Sequence, residues 1–118
     1  MLSSEDLELV MRFIYVPMVR KVLVRDMERI ESAGFKFHEP YFALMEKTLN
    51  KVGMDIRDIK KEMSKSGISV YHQGLVSEKC KYLVICRGYR EEMNLFPHLM
   101  KNEVLKYMTQ YLTQDNEM

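Results

Sequence analysis

Residues 53–88 run Gly-Met-Asp-Ile-Arg-Asp-Ile-Lys-Lys-Glu-Met-Ser-Lys-Ser-Gly-Ile-Ser-Val-Tyr-His-Gln-Gly-Leu-Val-Ser-Glu-Lys-Cys-Lys-Tyr-Leu-Val-Ile-Cys-Arg-Gly. The spacing of apolar residues changes within this stretch. Ile56, Ile59 and Met63 recur at helical intervals, and Arg57, Lys60, Lys61 and Lys65 fill the remaining surface, so the spacing predicts a helix over 54–66 that stops at Gly67. Asp55 suits its N-cap or first turn. Beyond Gly67 the period becomes two. Ile68, Val70 and His72 alternate with Ser69, Tyr71 and Gln73, as in a half-buried strand. Gly74 to Glu78 then has the length of a hairpin connection. On the return strand Cys80, Tyr82, Val84 and Cys86 share one face, and Lys81, Leu83, Ile85 and Arg87 share the other. The apolar run Leu83–Cys86 predicts cover on both sides. At the strand exit Arg87 and Tyr89 flank Gly88, and the plain expectation is a turn with Arg87 paired to a helix acid.

The flanking segments are helical in pattern. Ser3 or Ser4 suits an N-cap, with Glu5 and Asp6 placed at the positive end of the first turn. Val10, Met11, Ile14 and Met18 form one stripe, and Val19, Leu23, Met27 and Ile30 a second. Pro17 lies between them and withholds a donor from the Phe13 carbonyl, so residues 4–32 form either a kinked helix or two helices. Gly34 suits a C-cap and Pro40 the first turn of the next helix. Tyr41, Leu44, Met45, Thr48, Leu49 and Val52 give that helix one apolar face. Gly53 either ends it or bends it. After Gly88, Tyr89–Phe96 is read as a helical turn or two, with Asn94 as a cap. Leu99, Met100, Val104, Leu105, Met108, Tyr111 and Leu112 mark a last helix, and Thr113–Met118 are expected to fray.

The expected fold is therefore one mostly helical α+β domain over residues 1–118, with a β-hairpin at about 68–87. Its order, helix-helix-helix-hairpin-helix, is like that of a winged helix. A lone two-stranded hairpin is marginal in water and must lean on helices.

Composition places the chain among ordinary globular proteins: 118 residues, 47% hydrophobic, 30% charged and a net charge of +1. The charge is unevenly spread. Residues 46–90 carry ten basic and five acidic side chains, whereas the segments before and after are net acidic. Two cysteines and an acidic N-terminus without a secretory pattern point to the cytoplasm. Phe13–Val19, the longest apolar run, lies between Arg12 and Arg20 and is far too short to span a bilayer, so no membrane association is expected.

Four chemistries are weighed on these residues. A winged-helix unit would place Arg57, Lys60, Lys61 and Lys65 against DNA, with Lys79 and Lys81 on the wing. Asp55, Asp58 and Glu62 on the same helix oppose this, because they are spaced to pair with the lysines. A metal site from His72, Cys80, Cys86 and His98 is disfavoured, since cysteines six apart on a strand stand about 20 Å from each other at standard rise. No cofactor or small-molecule ligand is identifiable. No nucleophile elbow, phosphate loop or carboxylate pair accompanies His38-Glu39 or His72, so an enzyme is not expected. Helix-mediated association remains. Met11, Met18, Met27, Met45, Met63, Met100 and Met108 lie on predicted apolar faces, which offer more stripe than a small hairpin covers. A homodimer through the amphipathic helices is the expectation, and the leading role is a non-enzymatic interaction or regulatory module.

Tyr15-Val16-Pro17-Met18, Arg25-Asp26 and Ile85-Cys86-Arg87-Gly88-Tyr89 resemble the YhjD-like small proteins of Bacillus-type bacteria. The resemblance covers most of the chain. It implies a bacterial cytoplasmic protein and brings no assigned activity and no functional residues.

Overall fold

A computed structural model describes residues 2–113. The order is α1 (Ser4–Ser32), α2 (Glu39–Lys65), β1 (Ile68–Val76), β2 (Lys79–Cys86), β3 (Tyr89–Leu95) and α3 (Pro97–Thr113). The molecule measures 54 × 35 × 19 Å along its principal axes.

Helix α1 starts with a reciprocal cap. The Ser3 hydroxyl accepts from the Asp6 N–H at 3.0 Å, and the Asp6 carboxylate accepts from the Ser3 N–H at 3.0 Å. The helix continues through Pro17, so residues 4–32 form one element rather than two. Residues 33–38 turn the chain, with Gly34 at a φ of +77°, and α2 runs back along α1. Helix α2 passes without interruption through Gly53, where two helices had been an open alternative. Asp55 is accordingly no cap. It lies in mid-helix, 3.8 Å from Lys51 Nζ, and accepts a 2.6 Å hydrogen bond from the Tyr111 hydroxyl of α3. With no turn at Gly53 there is no separate 54–66 helix, and the winged-helix order is overturned.

The hairpin is also larger than expected. Three antiparallel strands lie in the order β1-β2-β3. Both connections are two-residue turns with φ positive at each central residue, Ser77 and Glu78 in the first, Arg87 and Gly88 in the second. That backbone matches the twist of paired strands, but only one of the four residues is glycine, so the sequence signal is weak. Gly74 belongs to a bulge rather than to the turn. Between the pairs His72–Tyr82 and Leu75–Cys80, two β1 residues oppose one β2 residue. Residues 89–95 are a strand, not a helical turn, and Asn94 pairs with Lys81 instead of capping.

One face of the sheet enters the core. Ile68, Tyr82, Val84 and Cys86 are buried with Val10, Ile14, Tyr15, Val16, Val19 and Leu23 of α1, Val52, Ile59 and Met63 of α2, and Met100 of α3. Leu83 and Ile85 point the other way and stay half-exposed, so the central strand is covered on one side only. In α3 the expected stripe is partly wrong. Met100, Val104, Met108, Tyr111 and Leu112 face the core, together with Tyr107, whereas Leu99 and Leu105 are exposed.

Candidate interaction surfaces

The framework is fastened at one end by Arg87. Its guanidinium donates 2.7 Å to Asp6 Oδ2 in the first turn of α1 and 2.8 Å to the Ser66 carbonyl at the end of α2. Its own N–H donates to the Gly67 carbonyl at 2.9 Å. The cation thus completes the negative end of one helix while its acid partner sits at the positive end of another. Glycine is needed at 67: φ is +66°, and a Cβ there would stand 3.2 Å from Arg87 Cγ. The Arg87 hydrogen bond, helped by the Ser3 N–H, holds the Asp6 carboxyl well below the usual carboxylate range. Cys86 Sγ lies 3.8 Å from the same carboxylate oxygen. The expected pairing of Arg87 with a helix acid is what the structure contains.

Tyrosines join α3 to the other helices, by ring stacking at Tyr107 and by a hydroxyl hydrogen bond at Tyr111. The Tyr15 and Tyr107 rings stack at 5.8 Å. Burial, reinforced by Glu103, pushes the Tyr15 hydroxyl up to about 12. Burial first, and the bond to Asp55 second, raise Tyr111 as well.

The opposite end of the helical layer is less complete. Between α1, α2 and α3 an apolar groove of about 360 Å³ is lined by Leu23, Ile30, Tyr41, Leu44, Met45, Met108 and Leu112, with Asp26 and Arg29 on its rim. Tyr41 and Leu44 are 56% and 42% exposed. Beside them the 33–38 connector presents Phe35 and Phe37, 52% and 66% exposed. Phe35 leans on Tyr41 with ring centroids 5.8 Å apart, and Lys36 Nζ stands 5.6 Å over the Phe37 ring. Large apolar side chains gathered this way, rather than scattered, mark contact surfaces.

The six basic residues singled out from sequence divide between α2 and β2. Arg57, Lys60, Lys61 and Lys65 are all exposed on α2. Lys60 opens onto a groove shared with Arg20, Lys21 and Arg25 of α1. Lys61 and Lys65 line a different one, with Arg12, Asp58 and Glu62. Lys79 Nζ sits 5.5 Å over the Phe96 ring, and Lys81 pairs with Glu92 at 3.4 Å across β2 and β3. Sequence reading missed Arg20, Lys21 and Arg25. Their signal is three cations within six residues of α1, offset in the sequence by the acids Asp26 and Glu28 that follow. His38 contacts Glu39 at 3.8 Å at the start of α2, and His72 packs on Tyr82 at 4.9 Å. Neither histidine lines the grooves above. Among the described residues no three His, Cys, Asp or Glu side chains converge as for a metal ion, and no helix is long and apolar enough to cross a membrane.

These features define a small, mostly helical α+β protein: a long helical hairpin and a terminal helix laid against one face of a three-stranded antiparallel sheet. The YhjD protein family matches residues 1–116, and the chain belongs to that family. It is similar to the uncharacterized protein YhjD of Bacillus subtilis (strain 168), at 26% identity over 111 residues, which cover 94% of this chain and 92% of the relative. No solved structure matches the chain.

Proposed function

We propose that this protein is a non-enzymatic interaction module that self-associates through the apolar end of its helical layer. The observation that carries the reading is the open groove beside Tyr41 and Leu44, flanked by the uncovered rings of Phe35 and Phe37. A two-fold interface needs a projection and a receptor close together on one surface, so that each copy gives and takes the same contact. Here the aromatic connector is the projection and the groove is the receptor. The rim supports the same arrangement: Asp26 and Arg29 are three residues apart on α1, so an antiparallel neighbour would bring acid to base twice. Full burial of one such side chain contributes roughly 1.5–3 kcal/mol, and four aromatic or leucine side chains per copy give enough to offset the cost of association.

Sedimentation equilibrium tests this. The expected result is a concentration-dependent dimer, with Leu44→Glu shifting the chain to monomer while its circular dichroism is unchanged. A wild-type chain that remains monomeric at high concentration refutes the proposal.

A further inference from the structure

A second concave surface lies between α1 and α2, and no residue of α3 or the sheet lines it. It encloses about 710 Å³. Its floor is apolar, made by Phe13, Pro17, Val24 and Ile56. Its walls are cationic: Arg20, Lys21 and Arg25 on α1 face Lys60 on α2, and Glu28 is the one acid of the lining. None of these four cations has an ion-pair partner among the described residues. Elsewhere the molecule does pair its charges, as at Lys51–Asp55, Lys81–Glu92 and Arg87–Asp6.

We infer that this groove receives an acidic amphipathic helix from another protein. Three features converge on that occupant. The α1 wall runs from Phe13 to Glu28, roughly 22 Å at the helical rise per residue, which is the length of about four turns. A valley between two antiparallel helices is shaped for a third rod, whose apolar ridge would meet Phe13, Val24 and Ile56. The four cations, without an ion-pair partner among the described residues, flank that ridge on both sides, where acidic residues of an incoming helix would lie. A phosphate backbone would meet the walls but gain nothing from the apolar floor, and a flat bilayer would not enter the valley. The apolar end used for self-association is lined by different side chains, so the two surfaces work independently.

The test uses the full chain and a fluorescein-labelled synthetic peptide of about 18 residues, long enough to populate helix. Leucines at helical spacing form its apolar stripe and glutamates occupy both flanks. Fluorescence anisotropy should show saturable binding that weakens at least tenfold between about 50 mM and 500 mM salt, because exposed charge pairs are screened. The double variant R20E/K60E, checked by circular dichroism, should weaken binding at least tenfold more. Lys101→Glu on α3 should leave it unchanged. The inference is overturned if the peptide does not bind saturably, or if R20E/K60E binds it as well as the wild type does. It is overturned equally if a lysine-flanked version of the peptide binds as tightly. It also fails if duplex DNA or anionic phospholipid vesicles compete the peptide away through the same residues.

Discussion

Replacing Gly53 by alanine isolates the feature on which the topology turns. Gly53 is interior to α2, with more than two turns of helix on either side. Its φ is not positive, and a Cβ built there meets nothing within 4 Å. Alanine would therefore gain its full helical advantage without a clash, roughly 0.5–1 kcal/mol from lower backbone entropy in the unfolded chain. Unfolding entropy is about 2.1 cal/mol/K per residue. Over 118 residues the gain raises the midpoint by roughly 2–4 °C. Thermal unfolding followed by circular dichroism, with urea titration as a second measure, reads this directly. A glycine at a turn between two helices would behave in the opposite way, since a side chain there is strained or loses the turn. A lower midpoint for Gly53→Ala would therefore refute the continuous helix.

Three further outcomes follow from the packing and the charges. Asp6→Asn should destabilise the chain at neutral pH. The folded Asp6 pKa is depressed, so its contribution is present above the ordinary carboxylate range and fades as pH falls below about 4; urea midpoints of variant and wild type should converge there. Tyr15 behaves with the opposite sign. Its folded pKa of about 12 lies above the unfolded value of about 10, so stability should decline from about pH 10 upward, and Tyr15→Phe should flatten that decline. Ile14 of α1 is only 5% exposed in the core, and Ile14→Ala should cost about 2–5 kcal/mol in denaturant unfolding.

Much of the architecture was legible because it rests on periodicity. Ser3, Gly67 and the inward face Cys80-Tyr82-Val84-Cys86 declare themselves through capping chemistry, a helix stop and strict alternation. The failures lie where local signals and tertiary context disagree. Gly53 is a weak helix residue, yet Val52 and Ile59 on either side are buried, and that packing carries the helix across it. The 89–95 strand was hidden because Tyr-Arg-Glu-Glu resembles a charged helix start, and because Arg87 adopts a left-handed φ of +47° that sequence rarely assigns to arginine. Met93 and Leu95, half-buried on alternate positions while Tyr89–Glu92 are exposed, carry the period of two only at the far end of the strand. Exposure at Leu99 and Leu105 was unreadable for another reason: α3 is apolar on more of its circumference than its neighbours cover. The groove cations of α1 and α2 come together only through the helical hairpin, so neither segment announces the other.

The bond between Asp6 and Arg87 also orders events in time. During synthesis the first turn of α1 leaves the ribosome long before the second strand does. Its acid remains without its guanidinium until residue 87 has emerged and the β2–β3 turn has closed. Contacts this distant along the chain are entropically late. Until the sheet arrives, the first turn of α1 has only its own Ser3–Asp6 cap and its packing on α2 to hold it.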